Sequence, residues 1–164
     1  VTQEQYPLVT AKIVSRFREA GVEFFVLNRG RSDEVEVGAA VVVGNTLIAK
    51  VVKVQEYIAV ATPLWATTIK TAATFAGSDK NAGIIEGELN TGLIMRLIPK
   101  DIAVTEDMVV ITSGLEEKIP RGLTIGKVAR TEAGQDDLFQ TAFINPPILG
   151  GEVTIVGIIT SYAR

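Results

Sequence analysis

The stretch from Thr112 to Gln140 constrains the fold of this chain more than any other. It reads Thr112-Ser113-Gly114-Leu115, then Ile119-Pro120-Arg121-Gly122-Leu123-Thr124-Ile125-Gly126-Lys127-Val128, and closes on Leu138-Phe139-Gln140. Glycine tolerates positive φ and proline fixes φ near its turn value. Alternated with β-branched residues, they suit two tight turns flanking a strand. Gly114, Pro120, Gly122 and Gly126 are thus expected to be structural turn residues, and the spacing does not serve chemistry.

The same strand-and-turn rhythm runs through most of the sequence. Thr2–Leu8 is polar and holds no heptad, at most the frayed end of a preceding helix. Ala11–Phe17, Phe24–Leu27, Ala40–Val43 and Leu47–Val54 alternate or are β-branched-rich between Gly, Asn or Asp, and Tyr57–Thr62 makes a fifth strand. Ser15–Ala20, short and ended by Gly21, reads as strand end and loop. Thr67–Phe75, a Gly77–Asn81 turn, Ala82–Glu88 and Leu93–Ile98 have the short strands of a small barrel. Met108–Ile111, Leu123–Thr131, Phe139–Ile144 and Glu152–Thr160 follow, with polar Glu132–Asp137 between strands. The fold class is all-β. Val37–Val43 followed by Leu47–Val51 echoes Val104–Ile111 followed by Leu123–Val128, with a longer loop, Thr112–Gly122, in the second copy. Duplication explains the echo, and so does the likeness of any two Val-rich hairpins.

Composition removes whole classes of chemistry. A chain of 164 residues holds one ordinary domain or two small ones and buries about 68 to 70% of its unfolded surface. With 47% apolar residues, 21% charged ones and a mean hydropathy of +0.30, it can build a core. Net charge −3 and pI near 5.1 leave no basic excess to neutralise phosphates, so nucleic acid is not an expected partner. The chain has no Cys and no His, which excludes zinc sites, thiol nucleophiles and a Ser-His-Asp triad within it. No cofactor is expected. Lack of Cys suits an oxidising compartment but also occurs in cytosolic domains. No apolar run approaches the roughly 20 residues that span a bilayer. Val1 in place of Met reads as an excised fragment or a processed product.

Several motifs nearly form. Gly122–Val128 has three residues between its glycines where a P-loop needs four, and Val128 follows the lysine where Ser or Thr is required. Asp79–Gly83 places its glycine one position early for a calcium loop and lacks the twelfth-position Glu, so it reads as a hairpin turn. Ser15, Ser32, Ser78, Ser113 and Ser161 are the five serines. Ser113 is the most exposed-turn-like of them, yet it has no Gly-x-Ser-x-Gly elbow, and Lys118 or Lys127 would have to activate it. The carboxylate pairs Glu116-Glu117 and Asp136-Asp137 are neighbours on loops, where solvation is the ordinary role. Trp65, Phe75, Phe139 and Phe143 are the aromatics to weigh as partner-binding residues against a plain role in the core. Long sheet edges offer a route to self-assembly.

The residues above resemble the family of rod shape-determining MreC proteins in order along nearly the whole chain, from about Ala11 to Thr160. Leu27–Asp33 with Val37-Gly38 is similar to the family's opening, Leu47–Val54 to its next strand, and Gly83–Gly87 and Leu97-Ile98-Pro99 to its middle elements. Thr112-Ser113-Gly114, the Pro120–Val128 run and Leu138-Phe139-Gln140 complete the series. Glu34 and Ala49 stand where the family usually has glycine, and Thr62-Pro63 lacks the usual Asp.

The resemblance implies two small β-barrels arranged as in chymotrypsin-like proteases, without their catalytic residues. The expected division is 1–62 with 103–164 as a discontinuous first barrel and 63–102 as an inserted second, or two sequential barrels. It implies a non-catalytic scaffold of the bacterial cell-wall elongation machinery, outside the cytoplasmic membrane. Membrane anchoring would come from segments absent here. Implied partners are a class B penicillin-binding protein, MreD and other shape-determining proteins, with self-association as a homodimer. The rival reading is a double-barrel serine hydrolase or a wall-polymer binding module.

Overall fold

A computed structural model describes residues 6–80, 82–88, 92–134, 137–147 and 153–160. Among these described residues it contains twelve strands: β1 (Leu8–Glu19), β2 (Val22–Leu27), β3 (Ala40–Val43), β4 (Thr46–Val54), β5 (Ala59–Pro63), β6 (Lys70–Phe75), β7 (Gly83–Gly87), β8 (Leu93–Pro99), β9 (Val109–Thr112), β10 (Thr124–Ala133), β11 (Phe139–Asn145) and β12 (Ile155–Ile159). One short 3-10 turn, Arg31–Asp33, lies between β2 and β3.

The strands close into two six-membered rings. The first runs β4-β3-β12-β1-β2-β5 and back to β4; the second runs β11-β8-β7-β6-β9-β10 and back to β11. Every pair within the rings is antiparallel, and the rings meet through one parallel contact, Thr46 beside Thr124. Closure leaves no unpaired edge along most of the perimeter. The fold is therefore all-β, as the alternating strands implied, and a double barrel, as the family resemblance implied.

Each ring has its own core. Phe25, Leu27, Ile48, Val51, Val156 and Ile158 fill the first, while Phe75, Ile85, Met95, Ile98, Ile125 and Ile144 fill the second. Residues 103–147 place Val110, Ile119, Leu123 and Ile125 in the second core, because β9 and β10 pair with β6 and β11. The hairpins that echo each other in sequence lie in different rings, and their β4 and β10 strands meet at the seam.

Period-two geometry explains why Ala40–Val43 is apolar throughout. Val41 points into the first core, whereas Ala40 and Val42 join the second cluster together with Leu47 and Ile159. A strand buried on both faces has no polar side. Each of Val42, Leu47 and Ile159 contributes about 1.5–3 kcal/mol by leaving water, so the seam is held by apolar packing as well as by polar contacts.

Candidate functional site

The Thr112–Gly122 loop leaves β9, turns and re-enters at β10, and Thr112 ties its two ends. The buried Thr112 hydroxyl donates to the Pro120 carbonyl at 2.6 Å and accepts from the Leu123 amide at 3.0 Å. The Thr112 amide also donates to the Leu123 carbonyl at 2.9 Å, and the Gly122 amide donates to the Thr112 carbonyl at 3.1 Å. Gly114 and Gly122 hold φ of +82° and +100°, which a side chain would strain. Gly126 is required for a different reason: a Cβ there would lie 2.3 Å from the Asn145 carbonyl where β10 crosses β11.

From this loop the side chains reach across the seam. Glu116 accepts from the Lys50 ammonium on β4 and, through its other oxygen, from the Ala72 amide on β6 at 3.2 Å. Lys50 also donates to the Lys70 carbonyl at 2.7 Å. Lys118 donates to the Val37 carbonyl at 3.1 Å and pairs with Glu36 at 3.4 Å, and Asn45 bonds the Gly122 carbonyl at 3.1 Å. Three residues of one loop, Glu116, Lys118 and Gly122, thus clasp the second ring to the first. Lys50 is only 7% exposed, and burial pushes its pKa below the ordinary 10.5, with the hydrogen bond and charge of Glu116 opposing that shift.

The arrangement holds little that could carry catalysis. Ser113 is 6% exposed, its amide bonds the Ala72 carbonyl, and its hydroxyl is buried with no hydrogen-bond partner among the described residues. Lys118 is occupied by Val37 and Glu36, and Lys127 faces a separate surface groove of about 540 Å³ beside Asp107, Val128 and Asn145. Glu117 is exposed; Asn81, Asp136 and Ser161 lie outside the described residues.

The four aromatics occupy different parts of the molecule. Trp65 is half-buried at the seam, packs on both cores, lies edge-on to Phe25 at 6.2 Å and donates to Glu23 at 3.2 Å. Phe75 on β6 is 3% exposed and belongs to the second core. Phe139 and Phe143 are half-buried on β11, and the Arg130 guanidinium sits 3.7 Å above the Phe143 ring. Gln140, beside Phe139, donates to the carbonyls of Pro99 at 3.0 Å and Ile102 at 2.7 Å, which fixes the turn after β8. Lys50 was not singled out by sequence reasoning. Its signal was the first of two lysines, Lys50 and Lys53, in the otherwise apolar Leu47–Val54 run, and its partner lies 66 residues away.

Comparison with known proteins agrees with the geometry. Residues 13–160 match the family model for rod shape-determining protein MreC, barrel core. A curated relative, the cell shape-determining protein MreC of Listeria monocytogenes, is 31% identical over 145 residues, covering 86% of this chain and 49% of its own length. The chain thus spans about half the length of that relative. A solved MreC structure from Listeria monocytogenes aligns with a TM-score of 0.87 at 28% identity, over 100% of this chain and 82% of the other. MreC in a solved complex of penicillin-binding protein PBP2 and MreC from Helicobacter pylori aligns with a TM-score of 0.74 at 15% identity, over 95% of this chain and 100% of the other. The twin barrels, the clasping loop and the 148 matched positions from 13 to 160 lead to one conclusion: the chain belongs to the MreC family of rod shape-determining proteins.

Proposed function

We propose that the chain is a non-catalytic scaffold of the wall-elongation machinery, which binds a class B penicillin-binding protein, MreD and other shape-determining proteins and self-associates. The observation that carries this reading is the seam: the loop between the barrels is spent on the Lys50–Glu116 and Lys118–Glu36 contacts, and the Ser113 hydroxyl is buried away from any substrate. The solved complex of a Helicobacter pylori relative with PBP2 supports the choice of first partner. Trp65, Phe139 and Phe143 are the proposed contact residues that a partner can reach, because each is only partly buried. The proposed site of action is the outer face of the cytoplasmic membrane. No helix among the described residues is long and apolar enough to cross a membrane, so anchoring in this reading falls to other segments of the full-length protein.

The test is interferometry of the chain against the soluble ectodomain of a class B penicillin-binding protein from the same bacterium. Saturable binding that weakens in Phe143→Ala or Trp65→Ala, with the melting temperature of the variant recorded alongside, supports the scaffold. Absence of binding up to about a millimolar, where contacts worth only about 4 kcal/mol would register, contradicts the partner assignment.

A further inference from the structure

The groove of about 540 Å³ beside Lys127 lies on the outside of the second barrel. Its floor is a row across three strands: Lys127 on β10 stands opposite Val109 on β9 and opposite Asn145 on β11, and directly paired residues share one face of a sheet. Lys127 and Asn145 are exposed and Val109 is half-buried, so that face is the outer one. Beneath the groove β10 is bent. It carries an extra residue between Thr124 and Gly126 against β9 and another between Val128 and Arg130 against β11, and each such bulge bends and twists the strand that holds it.

The walls differ in chemistry. On one side Glu106 and Asp107 come from a turn closed by the Met108 amide on the Thr105 carbonyl at 3.3 Å, and the Asp107 amide ties that turn to the Val128 carbonyl at 2.8 Å. Asp107 holds φ of +69°, a left-handed conformation that costs a side chain energy and that the surrounding structure must impose. On the other side Pro146 and Pro147 follow β11, and neither has an N–H to offer the sheet. Among the described residues the Lys127 ammonium and the Glu106 and Asp107 carboxylates make no side-chain hydrogen bond or ion pair. Opposite charges thus line one groove without internal partners.

We propose that this groove takes a short extended segment of a partner protein in which one basic and one acidic side chain flank an apolar one. The basic head meets Glu106 and Asp107 while its aliphatic stem lies along apolar surface. The carboxylate of the segment meets Lys127, and the apolar side chain between them rests on Val109 and the two prolines. A phosphate polymer or an anionic headgroup is a poor occupant, because the two carboxylates repel it. The volume falls within the range of about 300–1,000 Å³ that holds small ligands, which suits a few residues rather than the face of a domain. This proposal rests on the reading that the chain works by binding proteins, but it names a groove and a chemistry that stand apart from Trp65, Phe139 and Phe143.

The probes are the capped tripeptides Arg-Val-Glu and Glu-Val-Arg, titrated to millimolar concentration against the isotope-labelled chain at low salt, with Arg-Val-Arg and Glu-Val-Glu as controls. Amide shifts at 106–109, 124–129 and 145 are expected with at least one of the two mixed peptides, and about tenfold weaker binding of both controls. Lys127→Glu, a change at an exposed side chain, should weaken the mixed peptide about tenfold and bind Arg-Val-Arg more tightly than the wild type does. A merely destabilised barrel would not produce that exchange. Asp107→Asn, which tolerates the same left-handed turn, should weaken the mixed peptide about threefold. Shifts elsewhere, equal response to all four peptides, no response, or a Lys127→Glu chain that loses every peptide overturns the proposal. The same shifts on concentrating the chain without peptide would assign the groove to a second copy and also overturn it. Because the peptide replaces the partner, failure here leaves the penicillin-binding protein assignment standing, and failure of that assignment leaves this result readable.

Discussion

Ala20 and Gly21 close the β1–β2 hairpin with φ of +51° and +80°, the two left-handed residues that a two-residue type I′ turn requires. Alanine pays for that conformation, and asparagine tolerates it better. Ala20→Asn should raise stability by about 0.5–1 kcal/mol, read as a higher urea midpoint at constant slope. Gly126→Ala should have the opposite effect, losing about 1–3 kcal/mol, since its Cβ would collide with the Asn145 carbonyl and the Ile144 side chain. A urea titration that found Gly126→Ala neutral would refute the close approach of β10 and β11. Lys50 makes a prediction in pH. Its folded pKa lies below 10.5, so the unfolded chain holds that proton more tightly, and stability gains as pH climbs from the folded value towards 10.5. The stability difference between the wild type and Lys50→Met should therefore shift in favour of the wild type between neutral and alkaline pH. A parallel pair of curves would contradict the burial of the ammonium.

At the scale of the element, the Thr112–Gly122 loop shows what can and cannot be read from residue order. Backbone sterics make Gly114, Pro120, Gly122 and Gly126 candidates for turns around a strand; Gly114 and Gly122 hold positive φ in the loop, whereas Gly126 lies within β10, where its close approach to Asn145 is what requires a glycine. That the same loop clasps the other barrel through Glu116 and Lys118 was not legible, because Lys50 and Glu36 lie far away in sequence and nothing local pairs them. The reverse happened with Phe75, whose place on β6 follows from the alternation while its depth depends on which ring closes around it. Strand ends moved by a few residues for a similar reason: β1 runs on to Glu19 because the β2 partner continues beside it, not because of its own composition. Glu116→Gln keeps the Ala72 contact but leaves a buried ammonium without its counter-charge. The expected cost is about 1–3 kcal/mol, at the low end of a broken buried pair because the carboxylate remains partly exposed. A double-mutant cycle with Lys50→Met should recover most of it, and additive losses would deny the coupling.

For the molecule as a whole, we propose that the dividing lines follow the rings, with 8–63 and 153–160 in one unit and 64–147 in the other. Two closed barrels sharing one parallel bridge at Thr46 and Thr124 would swing freely if backbone pairing alone joined them. The apolar faces of Val42, Leu47 and Ile159 and the clasp from the second barrel hold them as one platform, and a platform of fixed shape is what a scaffold offers its partners. The measurement that tests this most directly is the distance distribution between spin labels on the two barrels. The chain has no Cys of its own, so Tyr57→Cys on the first barrel, a site 72% exposed, and Asp101→Cys on the second give two unique attachment points. A single narrow distribution that broadens when Glu116→Gln and Lys118→Ala are combined is the predicted result. A broad distribution in the parent chain, or one left unchanged by breaking both contacts, would contradict the account.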